Sequence, residues 1–240
     1  MSNIFHSDNL DKDYQEFEKV IFTTNKLKYT LSEEFKPHLK KYHRLTYVIA
    51  LFVNKLGKKW QSEGNRYLYI TEILSDLLSN SSISIIGFYY SSQILTRRFI
   101  ENFYNHIFHF EHPVEFELLN MGRNDYTPIV DLKNYFEAHP TIRVQNDSNI
   151  KMFNQALFAH YQDLCKTVHT KGEEFMGLAK NLEEIKPEID ISKHFDHINK
   201  SVQNIIYLLY RFHTDIEFTN IEKDIIAKSF AKNLRTSLLA

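Results

Sequence analysis

The stretch LTRRFIENFYNHIFHF gathers the side chains best suited to chemistry in this chain. Read as a helix, it puts Arg98, Asn102 and His109 near one face at spacings of four and seven, with Asn105 or His106 between them. Arg97 and Glu101 form a second pair, four apart. Two readings follow from the same residues. One is a helix-stabilising ion pair worth roughly 0.2–0.5 kcal/mol beside surface polar groups. In the other, Arg, Glu and Asn are kept inward on a helix rich in Phe and Ile because they form a satisfied network or hold a ligand. A cleft arginine meets two phosphate oxygens at once, so RNA or a nucleotide is the ligand class this second reading expects.

A second constellation lies in HYQDLCKTVHTKGE, where His160 and His169 bracket a helical stretch that ends at a Gly-containing turn. An imidazole at a helix C-terminus is stabilised by the dipole, which is a sufficient structural reason for His169. As a functional group, His169 could serve as base to a ribose 2′-hydroxyl and as acid to the leaving oxygen, the two proton transfers of metal-independent RNA cleavage. His106 and His109, three apart with Glu101 or Glu111 nearby, offer a weak metal pattern that matches no zinc or di-iron spacing, so no metal or other cofactor is expected. Cys165 lies a turn before His169, with no evident third group to orient that base for a thiol nucleophile.

These side chains need helices to position them, and the sequence supplies helices throughout. Six Gly and five Pro punctuate the chain, and apolar residues recur at three and four positions. The expected elements run from Leu10 to about Lys28, from Pro37 to about Trp60, from Tyr67 to Leu78, and from Ser84 to Phe110 as the central helix. Shorter ones cover Val114 to Met121 and Pro128 to Ala138, a long one ends near Val168, another runs from Ser192 to about His213, and a last one follows Thr219. Thr30 with Glu33, and Thr219 with Glu222, have capping-box spacing, while Asp147 or Ser148 is available as an N-cap. Asn80, Ser81 and Ser82 read as a helix end, and the segments Thr170 to Glu173 and Glu183 to Asp190 as a turn and a charged linker. The fold class expected is all-α, one multi-helix bundle over residues 1–240; two helical subdomains joined at the Gln145 loop are the alternative.

Composition narrows the function classes. With 29 basic against 30 acidic side chains, no global field draws the protein to nucleic acid or an anionic membrane. A local basic cluster, Lys36, His38, Lys40, Lys41, His43 and Arg44 with Lys55, Lys58 and Lys59, reads as a solvated face or as a nucleic-acid or partner surface, with Tyr42, Tyr47 and Trp60 beside it. The single cysteine cannot form an internal disulfide, the N-terminus lacks signal-peptide character, and the apolar runs fall short of the roughly 20 residues of a membrane span. A cytoplasmic protein with no membrane association is the expectation. Gly-rich phosphate loops and internal repeats are absent from the sequence.

RRFIENFYNHIF followed some sixty residues on by YQDLCKTVHT resembles the pattern of HEPN-like helical proteins over roughly Ser84 to Gly172. The resemblance implies an all-α bundle, often dimeric, in a bacterial antiviral defence or toxin–antitoxin module, so a homo-oligomer is expected. It implies a metal-independent endoribonuclease that binds and cleaves RNA, with His169, Arg98, Arg97 and Glu101 in catalytic roles and Asn102, Asn105, His106, His109 and Tyr161 against the substrate. The family's Arg ahead of the His is replaced here by Gln162, Asp163 and Leu164. The alternative class is a non-catalytic helical interaction subunit that binds a protein partner in such a module.

Overall fold

Phe99, Ile100, Phe103, Tyr104 and Ile107 fall on two adjoining faces of one helix, and all five are fully buried. Burial of each such side chain is worth on the order of 1.5–3 kcal/mol, which fixes this helix at the centre of the molecule. A computed structural model describes residues 9–24, 36–61, 63–85, 88–123, 126–168, 191–232 and 234–235. It is all-α: α1 (Leu10–Thr24), α2 (Lys36–Lys59), α3 (Leu68–Ile85), α4 (Tyr89–Glu111), α5 (Pro113–Asn120), α6 (Ile129–Ala138), α7 (Pro140–Arg143), α8 (Ser148–Val168), α9 (Ile191–Phe212) and α10 (Asn220–Lys228). Among the described residues there are no strands, and no helix is long and apolar enough to cross a membrane.

The central helix α4 is packed on by α3, α6, α8 and α9, while α2 lies across α3 and α9. One contiguous hydrophobic core runs from Phe17 of α1 to Phe230 beyond α10. Polar ties set the outer helices. Asp13 and His43 meet at 2.8 Å, both buried, and join α1 to α2. The Thr219 capping box starts α10, with Thr219 Oγ1 accepting from the Glu222 amide at 3.3 Å and Glu222 Oε2 accepting from the Thr219 amide at 2.6 Å. Lys55 reaches the same carboxylate at 2.8 Å and so pins α10 to α2.

The structure departs from the sequence-based expectation at residues 80–84. Asn80, Ser81 and Ser82 do not end a helix; α3 continues to Ile85, and Ser84 belongs to it rather than to α4. These residues favour turns because their side chains compete for local backbone groups, but here most of that capacity is used across helices. Asn80 Oδ1 accepts from Ser92 Oγ at 2.5 Å and lies 2.9 Å from Ser84 Oγ, while its amide nitrogen donates to Thr96 Oγ1 at 2.9 Å. His194 Nε2 of α9 lies 2.8 Å from Ser92 Oγ. Since the Ser92 proton is directed at Asn80, the imidazole is the donor to Ser92. The short helix α7, started by Pro140 at its first position, was not foreseen. The capping box expected at Thr30 and Glu33, and the turn and linker expected between Thr170 and Asp190, lie outside the described residues.

Candidate functional site: a tyrosine-walled polar face on α4

Arg97, Glu101, Asn105 and His109 recur every four residues, which carries them along one face of α4. Arg97 Nε donates to Glu101 Oε1 at 2.9 Å. Tyr161 of α8 donates its hydroxyl to the same oxygen at 3.1 Å, and the Arg97 guanidinium stands 5.7 Å from the Tyr161 ring centre. Burial, then the neighbouring Cys165 thiol and Glu101, push the Tyr161 phenol above its ordinary range, so it stays a neutral donor. Asn105 donates to the Glu101 carbonyl at 3.0 Å. His109 stacks on Tyr69 of α3, ring centres 5.3 Å apart and planes 18° from parallel, and meets Phe116 edge-on.

Tyr126 covers this face from the loop between α5 and α6. The turn that aims the loop closes with Arg123 N–H on the Leu118 carbonyl at 2.8 Å and Gly122 N–H on that of Leu119 at 3.0 Å, the two bonds of a Schellman cap. Gly122 sits at φ +65°, where a side chain would be strained. Tyr126 itself is 59% exposed, and its phenol is raised by burial first and then by Glu101. Below it a cavity of about 80 Å³ is lined by Tyr69, Asn105, Phe108, His109, Glu115 and Tyr126, among others.

Of the residues expected at the site, Arg97, Glu101, Asn105, His109 and Tyr161 share this face. Arg98 and Asn102 turn to α3: Arg98 pairs with Glu72 at 2.5 Å and Asp76 at 3.3 Å, and Asn102 donates to Asp76 Oδ2 at 3.1 Å. Burial, opposed by Arg98, raises the Asp76 carboxyl to about 6. His106 points into the core, its Nε2 2.8 Å from His213 Nε2, with Phe110 packed on both rings. The His106–His109 pair therefore faces two different places, and among the described residues no three metal-capable side chains gather. His169 lies outside the described residues, one position beyond the end of α8 at Val168.

Tyr69, Glu115 and Tyr126 were missed by sequence reasoning. Tyr69 stands one residue off the apolar stripe of α3, and Tyr126 sits in a loop where periodicity carries no signal. In the basic run of α2, Lys40, Lys55 and Lys59 pair with Asp11, Glu222 and Asp215, His38 pairs with Asp196, and Tyr42 and Tyr47 are buried. His160 also packs inward, 2.5 Å from Ser201 of α9, beside a groove of about 680 Å³ between α8 and α9. Comparison with protein-family models, with curated proteins and with solved structures returns no match.

Proposed function

We propose that this protein is a non-catalytic helical interaction subunit that holds a protein partner against the α4 face. The observation that carries this reading is the state of the two arginines. Arg97 is held by Glu101, and Arg98 by Glu72 and Asp76. A phosphate backbone would have to displace a carboxylate from each, whereas polyanion binding depends on cations that can neutralise phosphate. The histidines of this region argue the same way, since burial lowers His109 to about 4 and lowers His106 as well, leaving both imidazoles neutral near pH 7. The face offers phenol, carboxamide and aromatic surface, the mixture enriched where proteins bind proteins. The resemblance to HEPN-like proteins suggests an antiviral defence or toxin module as the setting.

A second reading, RNA cleavage without metal, is favoured by one observation: α8 carries Tyr161 to the Arg97–Glu101 pair and ends one residue before His169. The two readings part in one assay. Purified protein and its His169→Ala and Arg97→Gln variants are incubated with a labelled RNA in chelator at near-physiological salt. The expected result is weak binding, equal in all three, with no product. Cleavage by the parent that is lost in His169→Ala would overturn the interaction reading in favour of the nuclease.

A further inference from the structure

The cavity under Tyr126 has a composition that selects a ligand. Its lining combines three aromatic side chains, Tyr69, Phe108 and Tyr126, with one carboxylate, Glu115, and the polar groups of Asn105, His109 and Thr127. No ion pair engages Glu115 among the described residues; its charge is felt by His109. A carboxylate beside stacked aromatic surface, with no cation in the lining, is a site of negative potential. The neighbouring Arg97 does not supply the missing charge, because Glu101 pairs with it at 2.9 Å and its guanidinium stands over the Tyr161 ring.

We propose that this cavity binds an alkylammonium ion, with Glu115 as counter-ion and the rings of Tyr69, Phe108 and Tyr126 around the cation. The volume of about 80 Å³ fits a group of a few non-hydrogen atoms and not a nucleotide or a sugar. Ammonium groups held among aromatic rings gain from the electron-rich ring faces, and the gain grows as water is excluded. His109 is 5% exposed, and burial lowers it to about 4, so near pH 7 its ring is neutral and supplies no cation. Tyr126 is the outer wall: it lies in the loop before α6 and is more than half exposed, so this side of the cavity is not closed by helix packing.

Alkylammonium reaches such a cavity from a lysine side chain of a partner or from a free small amine. The inference deepens the partner-binding reading in the first case and stands without it in the second. Calorimetric titrations use methylammonium, tetramethylammonium, N-acetyl-lysine methylamide and the neutral isostere tert-butanol, at matched ionic strength. The expected result is saturable binding of at least one ammonium, about tenfold or more tighter than tert-butanol. Glu115→Gln and Tyr126→Ala should each weaken it about five- to tenfold, while Ile221→Ala on α10 leaves it unchanged. Tightest binding of the lysine derivative assigns the cavity to a partner's side chain, and tightest binding of a free amine assigns it to a small ligand. Equal binding of tert-butanol and tetramethylammonium, or no saturation by any ammonium up to about 50 mM, a very weak affinity, overturns the proposal. Failure of the partner reading alone would leave the small-ammonium titration intact.

Discussion

Lowering the pH from about 7.5 to about 4.5 is expected to cut the melting temperature by about 10 °C or more. His109, His194 and His213 are buried, and burial lowers the first two to about 4 and the third to about 3. In the unfolded chain each recovers a value near 6.5. Below that pH the unfolded state binds more protons than the folded one, so stability falls as pH falls through the window from 6.5 toward 4. Each of the three contributes a loss on the order of 2 kcal/mol by pH 4.5. Asp76 acts in the opposite sense: with its carboxyl raised to about 6, the folded state takes up a proton more readily, which returns about 2 kcal/mol over the same range. The net loss is carried by the histidines, joined by the lowered His43 and His106. Calorimetric melts at several pH values check this; a melting temperature constant to within about 3 °C would contradict the burial of neutral imidazoles.

Asn80→Ala is expected to be the most damaging of the polar substitutions. Asn80 is wholly buried and is the common partner of Ser84, Ser92 and Thr96, with His194 bound to the same hydroxyls. Its removal breaks buried hydrogen bonds to Ser84, Thr96 and both the hydroxyl and the carbonyl of Ser92, each worth about 0.5–1.5 kcal/mol, and leaves a void in their place. A loss of roughly 3–5 kcal/mol follows, or about 10 °C in melting temperature for a chain of this size. Ser81→Ala is the control, since Ser81 Oγ bonds only within its own helix, to the Leu78 carbonyl at 2.7 Å, and should cost less than about 1 kcal/mol. Chemical denaturation of the two variants decides it. Equal losses would mean that Asn80 does not tie α3 to α4.

The two expectations also show where the chain speaks plainly and where it does not. Apolar periodicity located the helices because a buried face repeats every three or four residues. Capping chemistry located the start of α10, because Thr219 and Glu222 must stand three apart to serve each other. The helix boundary at 80–84 was not legible, since Asn and Ser carry the same local signal whether they turn the chain or bond to another helix. The site was half legible for a related reason. Spacing put Arg98, Asn102 and His109 on one stripe and Arg97 with Glu101 on another, but it could not say that Arg98 and Asn102 would face α3 while His109 joins the Arg97–Glu101 side. Nor could it reveal Tyr126, which sits in the loop before α6, or Tyr69, which arrives from another helix.

These placements give α4 a divided surface. Toward α3 it spends Arg98 and Asn102 on Asp76, a contact internal to the helical hairpin. Toward α8 and the loop before α6 it turns Arg97, Glu101, Asn105 and His109, flanked by Tyr161, Tyr126 and Glu115 of α5, which has no ion pair among the described residues. Under the proposed function, the first set stabilises the hairpin and the second forms the recognition face.

The most direct measurement is site-specific photocrosslinking in the protein's native cells. A benzophenone amino acid replaces Tyr126 in one variant and Ile221, 74% exposed on α10, in another. The account predicts a discrete protein adduct at position 126, absent at 221 and diminished when Glu115→Gln is added. Adducts to RNA at position 126, or the same protein adducts at both positions, would contradict it.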